Sequence, residues 1–178
     1  MILTEYNKDN DPEIVNLFKN VFSASEGIDE GALIENLVRG MIKTTNPQDI
    51  FGFVAQDQKE IIGCVFFTRL SFQKPVEAFI LSPVAVSSKS QGKGIGQKLI
   101  TFGLEHLKAN GVELVLTYGD PKFYSKVGFK KITEDIIKSP HKLSYPDGWL
   151  CNPLHGECLK PISEQPKCVP ALDNAEYW

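Results

Sequence analysis

The chain has 178 residues, 42% of them hydrophobic and 23% charged, which is one ordinary globular domain's worth with a sizeable core. A net charge of −3 and a pI near 5.6 argue against a nucleic-acid surface, because phosphate backbones are met by basic stripes. No apolar run is long enough to span a membrane, and residues 1–6 lack the basic-then-apolar layout of a signal peptide, so the cytoplasm is the expected compartment.

Residues 1–6 alternate as a strand does. Asp11-Pro12 reads as an N-cap followed by proline in the first helical position. Ile14, Val15, Leu17, Phe18, Val21 and Phe22 follow at helical spacing. A second helix carries Leu33, Ile34, Leu37, Val38, Met41 and Ile42 on one face, and both stripes are expected to pack on a sheet. Strands are predicted at about 50–56, 61–72 and 75–86; the short polar turns between them imply an antiparallel meander. A helix over about 96–109 stops at Asn110-Gly111, and the nearly all-apolar Val112–Tyr118 reads as a strand covered on both faces. Strand, loop, helix and strand at this length imply a parallel crossover. Phe123–Lys126 forms a short helical turn, Gly128–Ile132 opens another strand, and Trp149–Pro153 is a last short one. From His155 on, Pro161, Pro166 and Pro170 predict an extended or poorly ordered tail, so residues 1–155 are read as one domain and 156–178 as a C-terminal tail.

Cys64, in an apolar strand, reads as a small hydrophobe. Cys151, Cys158 and Cys168 are read as unpaired thiols: Cys-x3-His-x2-Cys, with His155 inside it, is not a standard zinc spacing, and no metal is expected.

The most informative segment is Gln91-Gly92-Lys93-Gly94-Ile95-Gly96, between a strand and a helix. Glycines at every second position let the backbone turn tightly with its N–H groups directed into one hollow, and the helix N-terminus adds unpaired donors and partial positive charge. This is a socket for a diphosphate. A nucleotide P-loop is excluded because no Gly-Lys-Ser/Thr ending occurs. A dinucleotide fingerprint is excluded because Gln97 stands where its third glycine belongs, and Glu113 and Asp120 do not end a second strand.

Leu81-Ser82-Pro83-Val84-Ala85-Val86 followed by Gln91, Gly94 and Gly96 resembles the acyl-CoA signature of the GCN5-related N-acetyltransferase (GNAT) superfamily. Phe123-Tyr124-Ser125-Lys126-Val127-Gly128-Phe129 is similar to the tyrosine-plus-Gly-Phe segment that closes the family's cofactor site, and Gly119-Asp120-Pro121 is similar to the YhbS-like branch. The resemblance covers about residues 79–131. It implies an α/β (α+β) GNAT fold: a mixed, twisted central sheet of about six or seven strands with helices on both faces. It also implies acetyl-CoA as co-substrate, an amine acceptor, direct transfer, and a monomer or homodimer.

On that resemblance Gly92, Lys93, Gly94, Ile95 and Gly96 meet the diphosphate, and Gln91 either binds it or braces the loop through its amide. Val84, Ala85 and Val86 present edge groups to the pantetheine amides, and Tyr124 serves the departing thiolate. No general base is singled out among Glu77, Glu26, Glu35, Asp120 and a structural His106. A non-catalytic acyl-CoA sensor, a transferase of longer acyl groups and a partner-binding scaffold remain alternatives.

Overall fold

The apolar alternation through residues 50–86 builds the centre of the molecule. In the computed structural model, which describes residues 1–156 and 159–178, it forms β2 (Ile50–Asp57), β3 (Glu60–Leu70) and β4 (Ala78–Val86), an antiparallel meander. β1 (Ile2–Glu5) adds antiparallel to β2, and β5 (Leu114–Tyr118) adds parallel to β4. β6 (Lys130–Lys131) and β7 (Trp149–Pro153) complete a seven-stranded mixed sheet in the order β1-β2-β3-β4-β5-β7-β6. The parallel pair is the one joined by a helix, as a crossover requires.

Helices cover both faces. α1 (Asp11–Glu26) and α2 (Ile28–Thr44) bury Ile14, Val15, Phe18, Leu37, Val38 and Met41 against Phe66, Ile80 and Leu116. On the other face α3 (Ile95–Ala109) buries Leu99, Ile100, Leu104 and Leu107 against Phe53, Phe67, Phe79 and Val115. Each such side chain stabilises the fold by about 1.5–3 kcal/mol relative to exposure. α3 lies unusually close to the sheet at Gly103, where a Cβ would stand 2.5 Å from the Phe67 ring. Among the described residues no helix is long and apolar enough to cross a membrane.

Two local readings shift. Asn10, not Asp11, is the N-cap of α1; Asp11 is helical and its carboxylate accepts from the Tyr6 hydroxyl instead of from the helix. The prolines after residue 160 do not leave the chain loose. Residues 159–178 run irregularly over the α1–α2 side of the sheet and bury Ile162, Val169, Leu172 and Trp178. Trp178 stacks on Tyr118 and packs edge-on against Trp149, with ring centroids 6.3 and 6.1 Å apart, and its indole N–H donates to the Leu172 carbonyl at 3.1 Å. Proline sets local φ; aromatic burial decides whether the segment docks.

Cys64 and Cys151 are buried and Cys168 is half-buried, all three as free thiols, and burial pushes each thiol's pKa up. The reading of Cys158 falls outside the described residues.

Candidate active site

The site begins where β4 and β5 part. Ala78–Leu81 pair with Leu114–Thr117, and the β4–β5 register ends there. On its other edge β4 stays with β3, but Ser82 and Pro83 together oppose the single residue Phe66, since Leu81 faces Phe67 and Val84 faces Val65. This bulge reverses the side-chain alternation. Phe79 and Leu81 point to the α3 face, and after the bulge Val84 and Val86 do so too, while Ala85 is buried on the α1–α2 face.

The same alternation sorts the backbone. Ser87 N–H donates to the Ile62 carbonyl at 2.8 Å, so Ala85, two residues earlier and opposite Cys64, also turns its polar groups toward β3. Val84 and Val86 therefore present theirs to the side β5 has left. Ala85, expected among the edge donors, is a wall of the core.

The glycine loop leads from this edge into α3. Gly92 and Gly94 have φ of +75° and +73°, in the left-handed region where an L side chain is strained. Gly94 is the N-cap and carries no side-chain cap; the first intrahelical bond of its carbonyl is from Lys98 N–H at 3.1 Å. The N–H groups of Ile95, Gly96 and Gln97 are thus the helix's free donors. Gly96 permits close approach, since a Cβ there would meet the Phe123 ring at 3.3 Å. Gln91 sends its amide N–H to the Val86 carbonyl at 3.0 Å, so it braces the loop.

Val84, Val86, Gln91, Gly92, Gly94, Ile95 and Gly96 line one cavity of about 540 Å³. Lys93 does not: it is exposed and its ammonium reaches the Lys89 carbonyl at 3.3 Å. Sequence reasoning missed Phe123 and Lys126 on the opposite wall, and Val21, Phe22, Ser25 and Glu26 from α1. Phe123 and Lys126 were within a motif already singled out; the α1 residues carried no signal beyond the helical stripe.

Tyr124 lies on the short helix α4 (Pro121–Tyr124), capped by the Asp120 carboxylate accepting from Lys122 N–H at 2.9 Å. Its ring lies over Gly119, where a Cβ would stand 2.7 Å from Cε2. Burial is the main cause that pushes the Tyr124 hydroxyl up to about 12; Thr117 works against the rise and the Asp120 charge adds to it. Tyr124 faces a second cavity of about 570 Å³ that shares Phe22, Glu26, Val84 and Phe123 with the first.

The acids separate clearly. Glu77 is held by Arg69 at 2.6 Å near the start of β4, away from the opened edge. Glu35 is held at 2.8 Å by both Lys19 and Arg39, and hydrogen bonds to the two hold its carboxyl below the usual range. His106 packs against Phe51 and Phe53. Glu26 and Asp120 line the second cavity, where Glu30 joins them; burial, then the Glu26 charge, raises the Glu30 carboxyl.

A meander opened by a bulge, parallel to the strand beyond its crossover helix, is the architecture of the acetyltransferase-type α/β fold. Residues 48–131 match the model of the acetyltransferase (GNAT) domain. The chain is 29% identical over 103 residues to the uncharacterized N-acetyltransferase YjhQ of Escherichia coli (strain K12), covering 56% of this chain and 57% of that protein. It is 36% identical over 81 residues to the uncharacterized N-acetyltransferase YhbS of the same strain, covering 44% and 48% respectively. The matched stretch thus spans about half the length of these relatives. Over the whole fold, the crystal structure of Escherichia coli YhbS in complex with CoA superposes with a TM-score of 0.78 at 22% identity, covering 97% of this chain and 92% of that one. A GNAT family acetyltransferase from Brucella melitensis, in complex with acetyl-CoA, superposes with a TM-score of 0.70 at 21% identity, covering 97% of both. Residues 48–131 are thus similar to the GNAT acetyltransferase domain, and the whole chain shares the fold of YhbS.

Proposed function

We propose that the protein is an N-acetyltransferase that passes the acetyl group of acetyl-CoA directly to a primary amine. One observation carries this reading: the Val84–Val86 edge, beyond the end of the β4–β5 pairing, and the free N–H donors at the start of α3 line the same cavity. Coenzyme A has the matching parts in the matching order, an amide-rich arm for a strand edge and a diphosphate for a helix N-terminus. The family relatives supply the prior that this is acyl-transfer chemistry.

The chain's own groups then take these roles. Val84 or Val86 N–H donates to the thioester oxygen as charge develops there. The amine nitrogen attacks the carbonyl carbon, the C–S bond breaks, and the sulfur leaves as a thiolate. Tyr124 donates its hydroxyl hydrogen to that sulfur. A phenol held near 12 does not surrender its proton to an ordinary thiolate of pKa about 8.5, so Tyr124 acts chiefly as a hydrogen-bond donor unless the cleft desolvates the sulfur equally. The ammonium loses one proton to solvent before it attacks, and the nitrogen loses a second to solvent as the C–N bond forms and the C–S bond breaks. The released thiolate then takes up a proton according to the solvent pH. The same proposal keeps the domain within residues 1–155 with the following segment packed on it, the cytoplasm as compartment and a monomer or homodimer as assembly.

The test is thiol release from acetyl-CoA over a panel of amines, with acetylated products identified by mass. Amine-dependent release with an N-acetyl product is the expected result. Acetyl-CoA binding with no release from any amine would favour the sensor reading.

A further inference from the structure

Three side chains of metal-ligand type meet where the C-terminal segment docks. A ring nitrogen of His141, the Cys168 sulfur and a carboxylate oxygen of Asp173 all lie within 4.8 Å of one another. His141 Nε2 and Asp173 Oδ1 are 2.6 Å apart, and Cys168 is a half-buried free thiol. Neither Cys151 nor His155 takes part, so this is not the Cys-x3-His-x2-Cys stretch. None of the three lines the glycine-loop cavity or the cavity that Tyr124 faces.

The backbone around each of them is fixed by other bonds. Ser71 N–H donates to the Lys167 carbonyl at 2.8 Å and Lys167 N–H to the Ser71 carbonyl at 2.9 Å, which anchors the residue before Cys168 just past the end of β3. The Pro170–Leu172 turn, closed by Asp173 N–H donating to the Pro170 carbonyl at 3.2 Å, brings Asp173 back beside Cys168. Gln165 sends its amide N–H to the Pro140 carbonyl at 2.8 Å, and Ser139 N–H donates to the Glu134 carboxylate at 3.2 Å. His141 packs on the Trp178 ring, with centroids 6.1 Å apart. Cys168 and Asp173 line a pocket of about 460 Å³ with Pro140, Gln165, Pro166 and Lys167, which gives a small ion a way in.

Imidazole, thiolate and carboxylate together form the mixed donor set that suits a borderline-soft tetrahedral ion. Bonds of about 2.0–2.3 Å at tetrahedral angles put the ligand atoms of one zinc roughly 3.3–3.6 Å apart. The His141–Asp173 contact of 2.6 Å needs to lengthen by only roughly 0.7 Å to reach that spacing.

We infer that His141, Cys168 and Asp173 bind a zinc ion, with water as the fourth ligand, and that the ion clamps residues 165–173 to residues 134–141. On binding, the Cys168 S–H bond breaks, its proton passes to solvent, and the sulfur bonds to zinc. The thiolate and the carboxylate then balance the ion's double charge, and the imidazole binds as the neutral ring. The ion takes no part in acetyl transfer; it holds down the segment that carries Trp178.

The full chain, prepared without a histidine tag and stripped with a chelator under reducing conditions, is titrated with Co²⁺ and with Zn²⁺. One equivalent of Co²⁺ is expected to give a thiolate-to-cobalt charge-transfer band and the visible bands of a tetrahedral ion, and Zn²⁺ to bleach both. Zn²⁺ at about 100 times its Kd should raise the melting temperature by about 5 °C or more. Cys168→Ser should lose the charge-transfer band. Asp173→Asn, at an exposed position, should weaken Zn²⁺ by at least about tenfold. Cys158→Ser, which removes a different thiol, should keep both the spectrum and the melting shift. Melts in chelator show whether each variant is folded. No charge-transfer band, a band that survives in Cys168→Ser, or Zn²⁺ binding without a rise in melting temperature overturns the inference.

Discussion

Gln91 donates its side-chain N–H to the carbonyl of Val86 at 3.0 Å, tying the glycine loop to the last residue of the strand it leaves. The bond spans the five residues over which the chain turns from strand edge to helix N-terminus. It therefore sets the distance between the two surfaces that the proposed coenzyme must reach at once. The bond is exposed, and its net worth to folding is about 0.5–1.5 kcal/mol.

Gln91→Ala should accordingly leave a folded protein and weaken acetyl-CoA by about three- to tenfold, since about 1 kcal/mol of loop order is lost on binding. Gln91→Glu should weaken it further, because a carboxylate cannot donate to Val86 and repels the diphosphate. Calorimetric Kd values for the two variants check the order; an unchanged Kd in both would remove the brace from the account.

At Gly94 strain and function separate. A Cβ there meets nothing within 4 Å, so Gly94→Ala costs only its φ of +73°, roughly 1–2 kcal/mol or a few degrees of melting temperature. Gly94→Asp adds a negative charge beside the free donors and should abolish acetyl-CoA binding in a protein that still folds. Comparing melting curves with binding isotherms tests this pair, and retained affinity in folded Gly94→Asp would sink the diphosphate assignment.

Tyr124→Phe should lower kcat by about 10²-fold or more with little change in KM for acetyl-CoA. The hydroxyl is held near 12, so it stays neutral through the working range and gives kcat no alkaline fall below about pH 11. The linkage has the same sign. A folded pKa raised above the ordinary 10 contributes stability below pH 10 that is lost as pH rises from 10 toward 12. A kcat profile with an alkaline limb near pH 9 that vanishes in Tyr124→Phe would contradict this. Gly119→Ala should mimic the loss of kcat by pushing the ring, because its Cβ would stand 2.7 Å from Cε2.

Trp178 closes the α1–α2 side of the sheet and walls the second cavity. Trp178→Ala should destabilise the fold by about 3–5 kcal/mol, as large aromatic truncations do. Trp178→Phe, which keeps more of the packing, should cost less, and urea melts of the two variants measure the difference.

The extent to which the chain was readable follows from the range of the forces involved. The strands of 50–86 and the helices announce themselves through local alternation and stripes, and the glycine loop through backbone freedom that no other residue supplies. Ala85 was misplaced because a two-residue bulge at Ser82–Pro83 reverses which way every later residue faces, and no local pattern states that a bulge occurs. The docking of Trp178 on Tyr118 joins positions 60 residues apart, and Glu26, Glu30 and Glu176 become neighbours of one cavity through that same packing.

The central claim is that the Val84–Val86 edge and the start of α3 form one acyl-coenzyme site. Titration of acetyl-CoA, CoA and dephospho-CoA into the wild-type protein and folded Gly94→Asp tests it most directly. The account predicts saturable one-to-one binding of acetyl-CoA to the wild type and none to the variant. Absence of binding to the wild type, or equal binding to both, would contradict it.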